Sequence, residues 1–181
     1  MIHMKLFILV ILSILFFGCA SVSDAPAADE APHEEPSNSD WKDFELVDVS
    51  TGSTFRISDY SGKPVLVESF AVWCPTCLQQ QKELQSIVES HGDEIVHVSL
   101  DTDPNEDAQK VLDHLQQNNF DWHYAISPSG LTDELIDEFG IEIVNAPSAP
   151  IILVCADQSA RLLPSGLKRS AAILEEVEKG C

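Results

Sequence analysis

The stretch that decides the fold runs from residue 65 to residue 77 and reads Val65-Leu66-Val67-Glu68-Ser69-Phe70-Ala71-Val72-Trp73-Cys74-Pro75-Thr76-Cys77. Residues 65–72 are mostly apolar, which predicts a central strand that is buried on both faces. Helical periodicity follows over residues 74–90, with apolar positions at Leu78, Leu84, Ile87 and Val88. A pair of cysteines therefore lies where a buried strand passes into a helix.

The position of Cys74 suits a reactive thiol. A cysteine in the first turn of a helix faces unpaired N–H groups and the positive end of the helix dipole. These stabilise the thiolate and lower the thiol pKa to about 7 or below in such motifs. Pro75 fits the first helical turn, where no N–H is needed. We predict that Cys74 attacks a substrate sulfur and that Cys77 resolves the mixed disulfide.

Metal and nucleic acid are both poor partners for this sequence. Zinc sites share the C-x-x-C spacing but need a second pair of ligands, and Cys155 and Cys181 are isolated in the sequence. We therefore predict no metal and no cofactor. The chain has 30 acidic against 10 basic residues and a net charge of −20. This charge argues against nucleic acid, whose phosphates need a basic surface.

Strands and helices alternate on both sides of the motif. Residues 44–47 and 55–57 flank a Ser-Thr-Gly turn and predict a hairpin. Apolar patterning predicts later strands at 95–100, 122–126, 151–155 and 161–163, and helices at 107–118, 131–139 and 168–179. The pattern predicts an α/β domain over residues 41–181, with one central mixed β-sheet flanked by helices and an added N-terminal β-hairpin.

The first 40 residues are predicted to be an export signal and a tether. Residues 6–17 are apolar except for one serine, which is too short for a span of about 20 residues and matches a signal peptide over 1–18. The following Gly18-Cys19 resembles the lipobox of prokaryotic lipoproteins, which implies a lipid on Cys19; an uncleaved signal anchor is the alternative. Residues 19–40 are expected to be a lipid-anchored flexible linker. Both alternatives place the domain on the extracytoplasmic face of a prokaryotic membrane.

The motif over residues 65–77, with its Trp-Cys-Pro-x-Cys context, resembles the core strand and active-site turn of thioredoxins. It is most similar to the TlpA/ResA-type extracytoplasmic thiol–disulfide oxidoreductases. Those proteins have an added N-terminal hairpin, which is resembled here by residues 44–46 and 58–64. The resemblance covers about residues 41–181 and implies a thioredoxin-like fold. It also implies disulfide exchange with protein substrates, more readily as a reductase, in cytochrome c maturation or envelope redox homeostasis, and an upstream redox partner.

The resemblance also carries site residues over by position. Glu68 stands where thioredoxins bury an acid, six residues before Cys74, and is expected to have a raised pKa and to exchange a proton with Cys77; a solvated position is the alternative. Of the two candidates for the family's cis-proline, Pro147 and Pro150, we choose Pro150 because an apolar strand follows it directly. Substrate contacts are expected at Trp73, Pro75, Thr76, Ala149 and Pro150, although Ala149 departs from the family's usual Thr or branched residue.

The remaining cysteines of the domain are Cys155 and Cys181, and the sequence leaves two alternative functions to consider. Cys155 is expected to be a small buried apolar side chain, and Cys181 to be free or paired with it. A thioredoxin-like copper chaperone would use paired thiolates for Cu(I), but such proteins usually space their cysteines more widely and add a distal His. A peroxiredoxin-like antioxidant needs a Thr-x-x-Cys turn, which residues 70–74 lack.

Overall fold

The computed structural model describes residues 40–181. The predicted signal peptide, the predicted lipidation site Cys19 and the predicted linker up to residue 39 lie outside the described residues. Near the start of the described residues, Trp41 is only 2% exposed and packs edge-on against Phe139, with ring centroids 5.7 Å apart. Within residues 40–181, no helix has the length and apolar content needed to cross a membrane.

A small hairpin precedes the central sheet. Strand β1 (Leu46–Val47) pairs antiparallel with β2 (Thr54–Phe55), as predicted. The prediction that Ile57 extends the second strand is wrong, because Ile57–Tyr60 forms a 3-10 turn. That turn is closed by Asp59, whose carboxylate accepts a hydrogen bond from the Arg56 backbone N–H at 2.7 Å.

Over residues 40–181 the central sheet has five strands in the order β5-β4-β3-β6-β7. They are β3 (Val65–Phe70), β4 (Val96–Asp101), β5 (His123–Ile126), β6 (Ile151–Val154) and β7 (Ala160–Leu162). Strands β3, β4 and β5 run parallel, whereas β6 and β7 join antiparallel. The predicted mixed sheet is confirmed, and β3 lies at its centre, where every one of its residues is buried.

Four α-helices of the described chain flank the sheet: α1 (Pro75–His91), α2 (Ala108–Asn118), α3 (Ser129–Phe139) and α4 (Ser170–Lys179). Asp107 caps α2 by accepting a hydrogen bond from the Lys110 backbone N–H. Helix α4 begins two residues later than predicted, because Glu83 on α1 accepts a hydrogen bond from the Ser170 backbone N–H at 2.9 Å.

Alternate residues of the central strand enter two different apolar cores. Val65 and Val67 pack in a cluster with Leu131 and Leu135 of α3. Leu66 belongs to a separate cluster, whose helical members are Leu84, Ile87 and Ile173 from α1 and α4. Because side chains alternate along a strand, Glu68 shares the face of Leu66 and is directed toward the α1 side of the sheet. This places a carboxyl beside the apolar cluster on that face.

Candidate active site

The cysteine pair lies at the junction of β3 and α1. Cys74 is the N-cap of α1, and its sulfur accepts a hydrogen bond from the Cys77 backbone N–H at 3.1 Å. The two residues form a disulfide with their Cα atoms 5.3 Å apart. In the reduced state, the same unpaired N–H groups and helix dipole would stabilise a thiolate on Cys74. The geometry therefore fits the predicted attacking and resolving cysteines.

The disulfide lies beside a cleft between α1 and α2. Both cysteines are about 1% exposed, and Cys74 lines a cleft of 530 Å³. The α1 side of this cleft consists of Val72, Trp73, Cys74, Pro75 and Leu78, and the α2 side of Lys110, Asp113, His114, Gln117 and Asn118. Of the predicted substrate-contacting residues near the pair, Pro75 is exposed and Thr76 is half-buried. A partner sulfur can approach Cys74 through this cleft.

Trp73 separates this cleft from a second, more apolar one. Its side chain is 58% exposed, and its indole Nε1 donates a hydrogen bond of 2.6 Å to an Asp103 carboxylate oxygen. The second cleft has a volume of 310 Å³ and is lined mainly by Ala71, Trp73, Pro104, Ile136, Val144 and Ala146. Trp73 can thus contact a polypeptide on either side of it.

The proline loop differs from the prediction. Every peptide bond within residues 40–181 is trans, so the predicted cis bond before Pro150 is wrong. Ala149 adopts a left-handed conformation with φ of 48° and makes the bend that brings the chain into β6. Its carbonyl accepts a hydrogen bond from Lys168 Nζ at 2.7 Å. The Pro150 carbonyl accepts one from the Ser69 backbone N–H at 3.1 Å.

The loop residue that meets the disulfide is Ala146. Its carbonyl oxygen lies 3.2 Å from the Cys77 sulfur, and its side chain packs in one cluster with both cysteines. Ala149 and Pro150 are buried, whereas Pro147 is exposed. Substrate contact at Ala149 and Pro150 stays a prediction, and the structure adds Ala146 to the site.

Glu68 is fully buried, so the expected burial is confirmed and the solvated alternative is wrong. Ser99 Oγ on β4 donates a hydrogen bond of 2.9 Å to Glu68 Oε2. Loss of hydration raises the pKa of Glu68 to about 8, although Ser99, Gln81 and the positive charge of Lys168 all favour the ionised form. Burial in turn lowers the pKa of Lys168 to about 8. A carboxyl with a pKa near neutrality can both release and accept a proton under ordinary conditions.

An acidic loop after β4 fixes the turn before Cys74, and sequence reasoning missed it. Glu106 accepts a hydrogen bond of 2.7 Å from the Val72 backbone N–H, and Asp103 holds the Trp73 indole. Burial, with the neighbouring Glu106 carboxylate adding to it, raises the pKa of Asp101 to about 7. The feature that could have predicted this contact is the parallel pairing of β3 and β4. Parallel neighbours end at the same edge of the sheet, so the loop after β4 lies beside the turn after β3.

Within residues 40–181, a second disulfide joins Cys155 to Cys181, with Cα atoms 6.0 Å apart. The expectation that Cys155 is a small apolar side chain is therefore wrong, and the pairing left open by the sequence is formed. The adjacent Arg161 side chain donates hydrogen bonds of 3.0 Å to the Glu176 and Gly180 carbonyls. The Cys155–Cys181 disulfide joins Cys181 to the residue that directly follows β6. Elsewhere in the same range, no group of three or more His, Cys, Asp or Glu side chains is arranged to hold a metal ion.

The fold and the site together define a thioredoxin-like protein: a mixed sheet between helices, with a CXXC disulfide at the first turn of α1. The model of the Redoxin family matches residues 26–157. The chain belongs to the Redoxin family.

Three known proteins illustrate the similarity. A thioredoxin of Alicyclobacillus acidocaldarius subsp. acidocaldarius is 33% identical over 55 residues, which are 30% of this chain and 52% of that protein. The matched segment thus spans about half the length of that curated relative. A secreted disulfide oxidoreductase of Mycobacterium tuberculosis superposes with a TM-score of 0.61 at 15% identity, over 77% of this chain and 97% of that one. The exposed lipoprotein thioredoxin Etrx1 of Streptococcus pneumoniae strain TIGR4 gives 0.57 at 25% identity, over 75% and 98%.

Proposed function

We propose that the protein is an extracytoplasmic thiol–disulfide oxidoreductase that acts on protein substrates, in the TlpA/ResA manner and more readily as a reductase. The observation that carries the proposal is the Cys74–Cys77 disulfide at the start of α1, together with a buried Glu68 whose pKa lies near neutrality. Paired sulfurs supply the two electrons, and the carboxyl supplies a site for the proton.

In the reducing direction the dithiol form reacts first. The Cys74 thiolate attacks one sulfur of a substrate disulfide, the substrate S–S bond breaks, and the released substrate thiolate takes up a proton. Glu68 as a carboxylate accepts the proton of the Cys77 thiol. The Cys77 thiolate then attacks the Cys74 sulfur, breaks the mixed disulfide and releases the second substrate thiolate. Two electrons pass to the substrate, and a dithiol partner must reduce Cys74–Cys77 again.

The anchor belongs to the same proposal. The signal-like residues 1–18 and the Gly18-Cys19 junction support export and lipidation at Cys19, which would place the domain on the outer face of a prokaryotic membrane. One structural relative is described as an exposed lipoprotein thioredoxin. Mass spectrometry of the mature N-terminus tests this: we expect a lipid on Cys19 and none in Cys19→Ser. An unmodified chain beginning at Met1 would contradict it.

Trapping of the mixed disulfide tests the exchange reaction. Cys77→Ala removes the resolving sulfur, so we expect covalent complexes through Cys74 that dithiothreitol releases. Cys74→Ala is the matched control, and it also reports any exchange through Cys155 and Cys181. Equal trapping by the two variants would refute the assignment of Cys74 as the attacking sulfur.

The direction of electron flow is tested by the reduction potential against glutathione. A reductase requires a clearly negative potential, in the range of about −200 to −270 mV found for glutaredoxins and thioredoxin. A value near −120 mV, at the strongly oxidising end of the scale, would exclude the reductase direction. The protein would then oxidise substrate thiols by donating its disulfide.

A further inference from the structure

The buried carboxyl of Glu68 has a polar neighbour on the helix side of the sheet. Gln81 of α1 is fully buried, and its side chain favours the ionised form of Glu68. Gln81 Nε2 and Glu68 Oε1 are both buried, and neither atom has a hydrogen-bond partner within residues 40–181. The amide N–H₂ of Gln81 and the second carboxylate oxygen are therefore complementary groups that each lack an alternative.

The other end of the same amide is held by His114 of α2. His114 Nε2 lies 2.6 Å from Gln81 Oε1. An amide oxygen only accepts, so this contact requires the proton on Nε2 of the imidazole. When Glu68 is ionised, turning the amide over would place two acceptor atoms, Gln81 Oε1 and Glu68 Oε1, toward each other. The hydrogen bond from His114 thus selects the orientation in which Gln81 presents its N–H₂ to Glu68.

The imidazole is itself fixed by packing. Its ring stacks on Phe70 at 5.8 Å and lies 5.9 Å from Phe120. Burial lowers the pKa of His114 against the opposing effect of the Glu106 carboxylate, so the neutral ring predominates at neutral pH. His114 also lines the cleft that holds Cys74. Polar side chains therefore lead from the buried carboxyl to the cleft, and the hydrogen bond between Gln81 and His114 is the one already formed among them.

We infer that Gln81 and His114 are positioning residues for the proton transfer of Glu68: His114 orients the Gln81 amide, and the amide stabilises the carboxylate that accepts the Cys77 proton. The inference rests on the proposed function, in which Glu68 must ionise before the resolving step. The charged group that acts on Glu68 is Lys168, ahead of α4. The Glu68 charge in turn raises the pKa of Tyr124 on β5.

Carboxyl ¹³C NMR of the full chain in its oxidised state reads the Glu68 titration without any exchange reaction. Gln81→Met keeps the volume and removes the N–H₂, and we expect the Glu68 midpoint to rise by about one pKa unit, a tenfold change in proton affinity. His114→Phe keeps the ring packing and frees the amide, so a smaller rise is expected. Gln85→Met, on the same helix but bonded to the Asn119 carbonyl, should leave the midpoint unchanged.

A rate measurement supplies the second readout. The Cys77-dependent resolution of a mixed disulfide with a peptide should slow in Gln81→Met by up to about tenfold at pH 7, and the ratio to wild type should shrink above pH 9. An unchanged Glu68 midpoint in folded Gln81→Met overturns the inference. If the wild-type protein exchanges no disulfides, the proposed function fails, and the carboxyl titration still decides whether Gln81 and His114 position Glu68.

Discussion

Glu68→Gln is the change that tests the buried carboxyl most directly. The folded protein holds the Glu68 pKa at about 8, against an ordinary value of 4.5, because burial removes its hydration. Between these two values the unfolded chain has lost the proton while the folded chain keeps it. Stability therefore falls as pH rises through this window, at about 1.4 kcal/mol per pH unit from this group alone.

The magnitude follows from the two pKa values. Compared with a side chain that never ionises, Glu68 lowers the free energy of unfolding by about 1 kcal/mol at pH 5, about 3 kcal/mol at pH 7 and close to 5 kcal/mol above pH 8.5. Glutamine has nearly the same shape, can accept the Ser99 hydrogen bond and never ionises. We expect Glu68→Gln to be increasingly more stable than wild type as pH rises, with the difference growing by about 2.5 kcal/mol between pH 5 and pH 7.

Urea unfolding of the oxidised proteins at pH 5, 6, 7 and 8 measures this difference. Any constant packing effect of the substitution cancels between pH values, and Glu89→Gln on the exposed side of α1 is the matched control. The same variant should resolve mixed disulfides slowly at pH 7, because its amide cannot accept the Cys77 proton. A stability difference that stays constant from pH 5 to pH 8 would refute a raised Glu68 pKa.

Three further changes test other parts of the site. Cys155→Ala opens a disulfide with a sequence separation of 26; we expect a loss of about 3 to 4 kcal/mol in denaturant unfolding, with exchange through Cys74 retained. Glu106→Ala removes the acceptor of the Val72 N–H. We expect the free energy of unfolding to fall by about 1 to 2 kcal/mol and hydrogen exchange at the Val72 amide to become faster. An unchanged exchange rate would contradict the contact. Trp73→Ala should raise the KM for peptide disulfides several-fold while iodoacetamide alkylation of reduced Cys74 keeps its rate.

The element pattern was readable from the sequence because it follows from local periodicity. The mostly apolar segment 65–72 predicts a central strand, and β3 is buried throughout. The alternation of strands and helices predicts the mixed sheet that the structure contains. Boundaries were less accurate where a distant side chain decides them. Helix α4 begins at Ser170 because Glu83, 87 positions earlier, accepts its N–H.

The missed contacts at the site all join residues far apart in the chain. Glu106 and Asp103 reach the Cys74 turn only because β4 lies beside β3 in parallel. Gln81 and His114 meet across two helices, and neither has a local motif. The proline prediction failed for a related reason, since a left-handed Ala149 makes the bend into β6 with a trans bond, a backbone choice that tertiary packing decides.

The amino-acid sequence by itself determined the cysteine pair at a strand–helix junction, because strand burial, helix periodicity and the helix N-terminus are local properties. It also placed an acid on the buried strand. Only the tertiary structure decided how that acid is solvated, which groups share its proton and which loop meets the sulfurs. Those properties depend on desolvation and on contacts between α1, α2 and the sheet, which the chain acquires only when it has folded.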